Sequence, residues 1–125
     1  MKLKKVMIVD DQESICNLVK SGIENTWPTV KATTCSDSTQ AFDKIKTLQP
    51  DLVILDVQMG DVSGDDVAAA MKEHPLTQGI PIIFLTGILT PDEARVRGNK
   101  SGGAFFLAKP IDFKELMAAV EKYIG

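Results

Sequence analysis

The chain alternates short apolar runs with longer amphipathic stretches, and this alternation limits what it can fold into more than any single residue does. The runs span residues 6–9, 30–34, 52–55, 80–85 and 104–107. Four of them are almost purely apolar, which is how strands buried on both faces read. The stretches between them carry apolar residues at helical spacing. Ile15, Leu18, Val19 and Ile23 form one such stripe over residues 13–24, ended by Trp27-Pro28. Ala41, Phe42, Ile45 and Leu48 form a second, opened by Ser36 or Asp37 and closed by Pro50. Residues 65–73 give a helix with a small-residue centre, and residues 91–97 a short one starting at Pro91. Residues 98–103 read as loop. Asp112 opens a last helix, with Glu115 placed for a capping box and Leu116, Val120 and Ile124 as its stripe. Five β–α units in series imply an α/β fold, a parallel sheet covered by helices on both faces.

At 125 residues, 44% hydrophobic and 25% charged, the chain suits one compact domain over 1–125 with enough apolar material for a core. It has no apolar run of roughly 18 residues, so no membrane span is expected. The basic start runs too soon into acids to be a signal peptide. Cys16 and Cys35 lack metal-ligand spacing and read as free thiols in a reducing, cytoplasmic setting. The net charge of -3 argues against direct nucleic-acid binding.

In open parallel sheets, ligands bind where the strands end at their carboxyl side. The first run ends at Asp10-Asp11, the third at Asp56 and the fourth at Thr86, while Lys109-Pro110 follows the last. The second ends near Thr34-Cys35 and offers nothing comparable. Three converging carboxylates repel one another, and a hard divalent cation offsets that. Magnesium takes oxygen ligands, usually only one or two of them carboxylates, and keeps sites for water and substrate oxygens. Lys109 adds a fixed positive charge and Thr86 a hydroxyl donor. Such a site suits a phosphoryl group, with Asp56 as a nucleophile able to form an acyl phosphate.

These motifs resemble those of receiver domains of two-component response regulators, of the chemotaxis-regulator type. The matching residues are Val9-Asp10-Asp11, Leu55 to Met59 with Gly64 beyond, Leu85-Thr86-Gly87 and Lys109-Pro110. The resemblance covers essentially the whole chain. It implies a flavodoxin-like doubly wound fold with a five-stranded parallel sheet in the order 2-1-3-4-5. It implies that Asp56 is the phosphoacceptor, with Mg2+ (or Mn2+) bound by Asp11 directly, Asp10 largely through water, Asp56, and the Gln58 backbone carbonyl. Thr86 and Lys109 would bind the phosphoryl group. Thr86 and the aromatic Phe106 would form the switch, changing the surface of the fourth helix, last strand and last helix. The implied donor is a histidine kinase or histidine phosphotransfer protein. The implied output is a downstream protein partner or a fused output domain. The chain would catalyse its own phosphorylation and slow dephosphorylation without being a conventional enzyme.

Departures from the family pattern sit beside the reactive acid. Met59-Gly60 replaces the common Met-Pro, which predicts a looser loop. Gly87 replaces the commoner alanine and leaves room there. Gln58 and Ile88 occupy positions that tune acyl-phosphate hydrolysis in the family, and Ile88 is expected to hinder water. Two other enzyme or carrier classes fit poorly. A haloacid-dehalogenase-type phosphatase needs an acid at position 58, and a flavodoxin-like carrier needs a hydroxyl- and glycine-rich first loop where this chain has Asp10 to Ser14. The remaining alternative is a phosphorylation-independent receiver serving as a binding module. Taken singly, Asp10-Asp11 could cap the first helix, Thr86 and Lys109 could be an ordinary strand end and surface charge, and His74 an exposed helix end.

Overall fold

The computed structural model describes residues 4–87, 100–101, 104–108 and 111–124. The strands are β1 (Lys5–Val9), β2 (Lys31–Cys35), β3 (Leu52–Asp56), β4 (Ile82–Thr86), β5 (Lys100–Ser101) and β6 (Ala104–Ala108). The helices are α1 (Glu13–Thr26), α2 (Ala41–Leu48), α3 (Gly64–Glu73) and α4 (Phe113–Ile124). The helix expected over residues 91–97 falls outside the described residues, as do Ile88 and Lys109.

The sheet runs β2-β1-β3-β4-β6-β5, and its first five members pair in parallel. This is the expected doubly wound order, with β6 as the fifth parallel strand. The addition is β5, which lies antiparallel on β6 with Lys100 opposite Phe105 and Ser101 opposite Ala104. These residues were expected in a loop. Only Gly102 and Gly103 separate the two strands in sequence.

The apolar runs divide between two cores because neighbouring strand residues point to opposite faces. Val6, Ile8, Ile54, Ile83 and Leu85 pack with α1 and α4. Met7, Val9, Val53, Leu55 and Phe84 pack with α2 and α3. The sheet between them is therefore a rigid mount for whatever sits at its carboxyl edge.

The helices adjust the expected stripes. On α1 the buried residues are Cys16, Val19 and Ile23, while Leu18 is 53% exposed. At 3.6 residues per turn, Leu18 lies about a third of a turn off that stripe. Asp37 accepts the Thr39 N–H at 3.0 Å and its hydroxyl at 2.6 Å, capping a 3-10 turn at Ser38–Gln40 that leads into α2. Those two bonds hold its carboxyl below the usual range. Ser63 caps α3 through the Asp66 N–H at 3.2 Å, one residue earlier than the expected start implied. Asp112 accepts from the Lys114 and Glu115 N–H groups at the head of α4. His74 is half-buried rather than exposed. Its ring stands edge-on to Phe42 at 5.9 Å, and its Nδ1 accepts the Leu76 N–H.

Candidate functional site

Each acid at the carboxyl edge is placed by a strand. The Asp10 N–H donates to the Cys35 carbonyl at 3.1 Å, which extends the β1–β2 ladder one residue past Val9 and leaves Asp10 fully buried. Asp11 follows on the exposed side of the turn into α1. Asp56 is the last residue of β3 and is 1% exposed. The Val57 N–H then donates to the Leu85 carbonyl, so the strand direction persists just beyond the acid.

Asp10, Asp11 and Asp56 converge. One carboxylate oxygen from each lies within 4.8 Å of the others. Two like charges about 5 Å apart repel by roughly 3 kcal/mol at an effective dielectric near 20. Backbone donors take part of this up. The Gln12 N–H donates to Asp10 Oδ1 at 2.9 Å, and the Gln58 N–H to Asp56 Oδ1 at 3.2 Å. Asp10 thus turns the chain into α1 rather than capping it at the usual position, since Gln12 is itself the residue before the helix. The three donors are all carboxylate oxygens at mutual distances one ion can span, so the set fits a hard divalent cation. It is the only such grouping of His, Cys, Asp or Glu among the described residues.

The Cys16 thiol donates to the Asp10 carbonyl at 3.3 Å. Burial pushes it up to about 11, and the neighbouring Asp10 charge adds to the rise. Such a thiol is inert near neutrality and serves as packing under the acid. Cys35 is likewise buried and free, its thiol donating to the Asp37 carbonyl.

Thr86 closes β4 and is buried, in register with Ala108. Phe106, two residues before Ala108, is half-buried. Its ring stacks on Phe84 at 4.9 Å between centroids and 17° between planes. The expected switch pair thus sits on adjacent strands.

The loop after Asp56 is pinned at several points. The Gly64 N–H donates to the Val57 carbonyl at 2.9 Å, and the Val62 N–H to the Ser38 hydroxyl at 3.1 Å. A Cβ on Gly60 would meet nothing within 4 Å. At Gly87 a Cβ would come to 3.2 Å of Gln58 Oε1, so the room left by that glycine is filled by the Gln58 amide. Ser38 was not singled out from sequence, and neither was the placing of the Gln58 side chain against Gly87, because both act across chain separations that carry no local pattern.

A family model, the response regulator receiver domain, matches residues 6–121. The chain belongs to the response regulator receiver family. Among curated relatives of this receiver, the Bacillus subtilis alkaline phosphatase synthesis transcriptional regulatory protein PhoP is 33% identical over 120 residues. That match takes in 94% of this chain but 47% of PhoP, so the chain spans about half that relative's length. The polar-differentiation response regulator DivK of Brucella anthropi is 30% identical, over 98% of this chain and 97% of DivK. Among solved structures, the signal receiver domain of a DNA-binding response regulator from Colwellia psychrerythraea superposes with a TM-score of 0.82 at 26% identity. It covers 97% of this receiver and 98% of that chain. Among the described residues, no helix of the receiver is long and apolar enough to cross a membrane.

Proposed function

We propose that this chain, as one receiver unit over 1–125, is a phosphorylation-controlled signalling switch with Asp56 as phosphoacceptor. The observation that carries the reading is the convergence of Asp10, Asp11 and Asp56, with Asp56 at the end of the most buried strand. An Asp56 carboxylate oxygen attacks the phosphorus of a phosphohistidine on a sensor kinase or phosphotransfer protein. The phosphorus–nitrogen bond breaks, its electron pair stays on the imidazole nitrogen, and an acyl phosphate forms on Asp56.

Asp11, Asp10, Asp56 and the Gln58 backbone carbonyl would hold Mg2+ (or Mn2+), whose positive charge would offset that of the phosphoryl oxygens. Thr86 and Lys109 bind those oxygens. Movement of Thr86 toward the phosphoryl group lets Phe106 leave its present packing, and the partner-facing surface at β6 and α4 changes with it. The chain would catalyse this transfer and a slow dephosphorylation of itself. Its expected setting is cytoplasmic. Its output is a downstream protein or a fused domain, in keeping with relatives that include a transcriptional regulator about twice as long.

The deciding experiment incubates the chain with magnesium and a small acyl-phosphate donor, then reads covalent phosphate by mass spectrometry. Wild type gains one phosphoryl group and Asp56→Asn gains none. No gain in wild type overturns the reading and leaves a phosphorylation-independent binding module in its place.

A further inference from the structure

We infer that Ser38 is a positioning residue for the proposed metal site: its hydroxyl holds the segment between Asp56 and Gly64 in one arrangement and so strengthens metal binding through Gln58. This rests on the proposed roles of Asp56 and Gln58. Ser38 opens the 3-10 turn between β2 and α2, and Val62 lies just before α3. Ser38 Oγ nevertheless accepts the Val62 N–H at 3.1 Å across 24 residues of sequence. Ser38 is 7% exposed, so water competes poorly for that hydroxyl.

The turn on one side of this bond is fixed by its own contacts. The Gln40 N–H donates to the Asp37 carbonyl at 3.1 Å, and the Thr39 N–H and hydroxyl both donate to the Asp37 carboxylate. On the other side, the segment is anchored where it leaves β3 and where it enters α3. The Gln58 N–H donates to Asp56 Oδ1 at 3.2 Å, and the Gly64 N–H to the Val57 carbonyl at 2.9 Å. Between these anchors Gly60 has open space where a side chain would be, so packing there does not fix the tip. The Ser38–Val62 bond ties the returning limb to a different element. A ligand oxygen held in place beforehand needs less ordering when the ion binds, and groups that orient metal ligands commonly control affinity. Loss of the Ser38 hydroxyl leaves every proposed ligand atom present, so the effect falls on affinity and not on ligand number.

The test titrates the intact chain with magnesium alone and follows the Asp11 and Gln58 amide shifts by NMR. Ser38→Ala should raise the magnesium Kd about two- to tenfold, the range set by one hydrogen bond. Thr77→Val is the control for lost stability. Thr77 is 1% exposed, and its hydroxyl donates to the Met71 carbonyl at 2.7 Å, ahead of β4 at the opposite edge of the sheet. Its urea midpoint should fall while its magnesium Kd stays within about twofold of wild type. With acetyl phosphate added, Ser38→Ala should need correspondingly more magnesium for phosphorylation, and its rate at saturating magnesium should stay within about twofold of wild type. An unchanged Kd in Ser38→Ala overturns the positioning role, as does an equal rise in Thr77→Val. Wild type that binds magnesium but gains no phosphate overturns the phosphoacceptor reading alone, because the Kd comparison still supports Ser38. Wild type that binds no magnesium overturns the metal site and the role of Ser38 together.

Discussion

Gly64 lies so close to Asp56 that no side chain fits between them. A Cβ on Gly64 would run into the Asp56 carbonyl oxygen and come to 2.8 Å of Val57 Cα. The obstacle is backbone at the end of a buried strand, which has nowhere to go. The first turn of α3 is thereby seated directly on the segment that presents Asp56.

Gly64→Ala should therefore destabilise the chain and misplace Asp56 together. Overpacking of this kind costs about 1–3 kcal/mol, measurable as a lower urea midpoint at unchanged slope. Phosphorylation by the small-molecule donor should slow as well. Gly60→Ala is the control. Open space surrounds that position, and its urea midpoint should match wild type.

Magnesium should stabilise the folded chain through the three acids. At a hundred times Kd, a ligand bound only by the folded state adds about 2.7 kcal/mol. Asp11→Asn removes one exposed carboxylate from the cluster and should abolish most of that gain, while leaving stability in EDTA equal to or slightly above wild type. Thermal melts with and without magnesium check both halves. An Asp11→Asn protein that gains as much from magnesium as wild type would remove Asp11 from the ligand set.

Alkaline pH should weaken the metal-free chain through Cys16. Its folded value, about 11, lies above the ordinary 9.0 because burial disfavours the thiolate. Between those values the unfolded chain loses a proton that the folded chain keeps. Stability is full below pH 9 and falls as pH rises toward 11. Cys16→Ala in EDTA should show a flatter decline over that window in urea titrations, and a parallel decline would contradict the assignment.

The Phe84–Phe106 stack should contribute unequally from its two members. Phe84 is 4% exposed, and Phe84→Ala should cost about 3–5 kcal/mol. Phe106 is half-buried, so Phe106→Ala should cost clearly less. If Phe106 is the switch aromatic, that second variant should still accept phosphate on Asp56 but show smaller amide shift changes along α4 on phosphorylation, as read by NMR.

Position 18 offers a check on how α1 sits. Leu18→Gln should change stability by no more than about 0.5 kcal/mol, whereas Ile23→Ala should cost about 2–5 kcal/mol. Equal costs would mean that α1 is rotated from the orientation described.

The contrast between Leu18 and Cys16 shows where sequence reasoning stopped. Both fit a helical period with Val19 and Ile23, and leucine is the more obvious core residue. Only the sheet against which the helix lies selects the face, and it selected the one carrying the smaller cysteine. At β5 the polar Lys100-Ser101 pair carried no strand signal of its own, since its pairing depends on β6 alongside it. The looser loop expected from Gly60 was a local inference, while the anchors found there, Ser38 to Val62 and Gly64 to Val57, come partly from elsewhere in the chain.

The sequence by itself determined the elements and the edge at which chemistry could gather. Uninterrupted apolar runs require burial on both faces, and helices between them require parallel pairing, so Asp10, Asp11, Asp56 and Thr86 had to share the carboxyl edge. Tertiary structure alone decided the finer contacts. The meeting of three carboxylates within 4.8 Å, the reach of Gln58 to Gly87 and the seating of Gly64 on Asp56 depend on how separate elements pack against one another. Periodicity along the chain carries no information about such distances, because it fixes directions within an element and not the separation between elements.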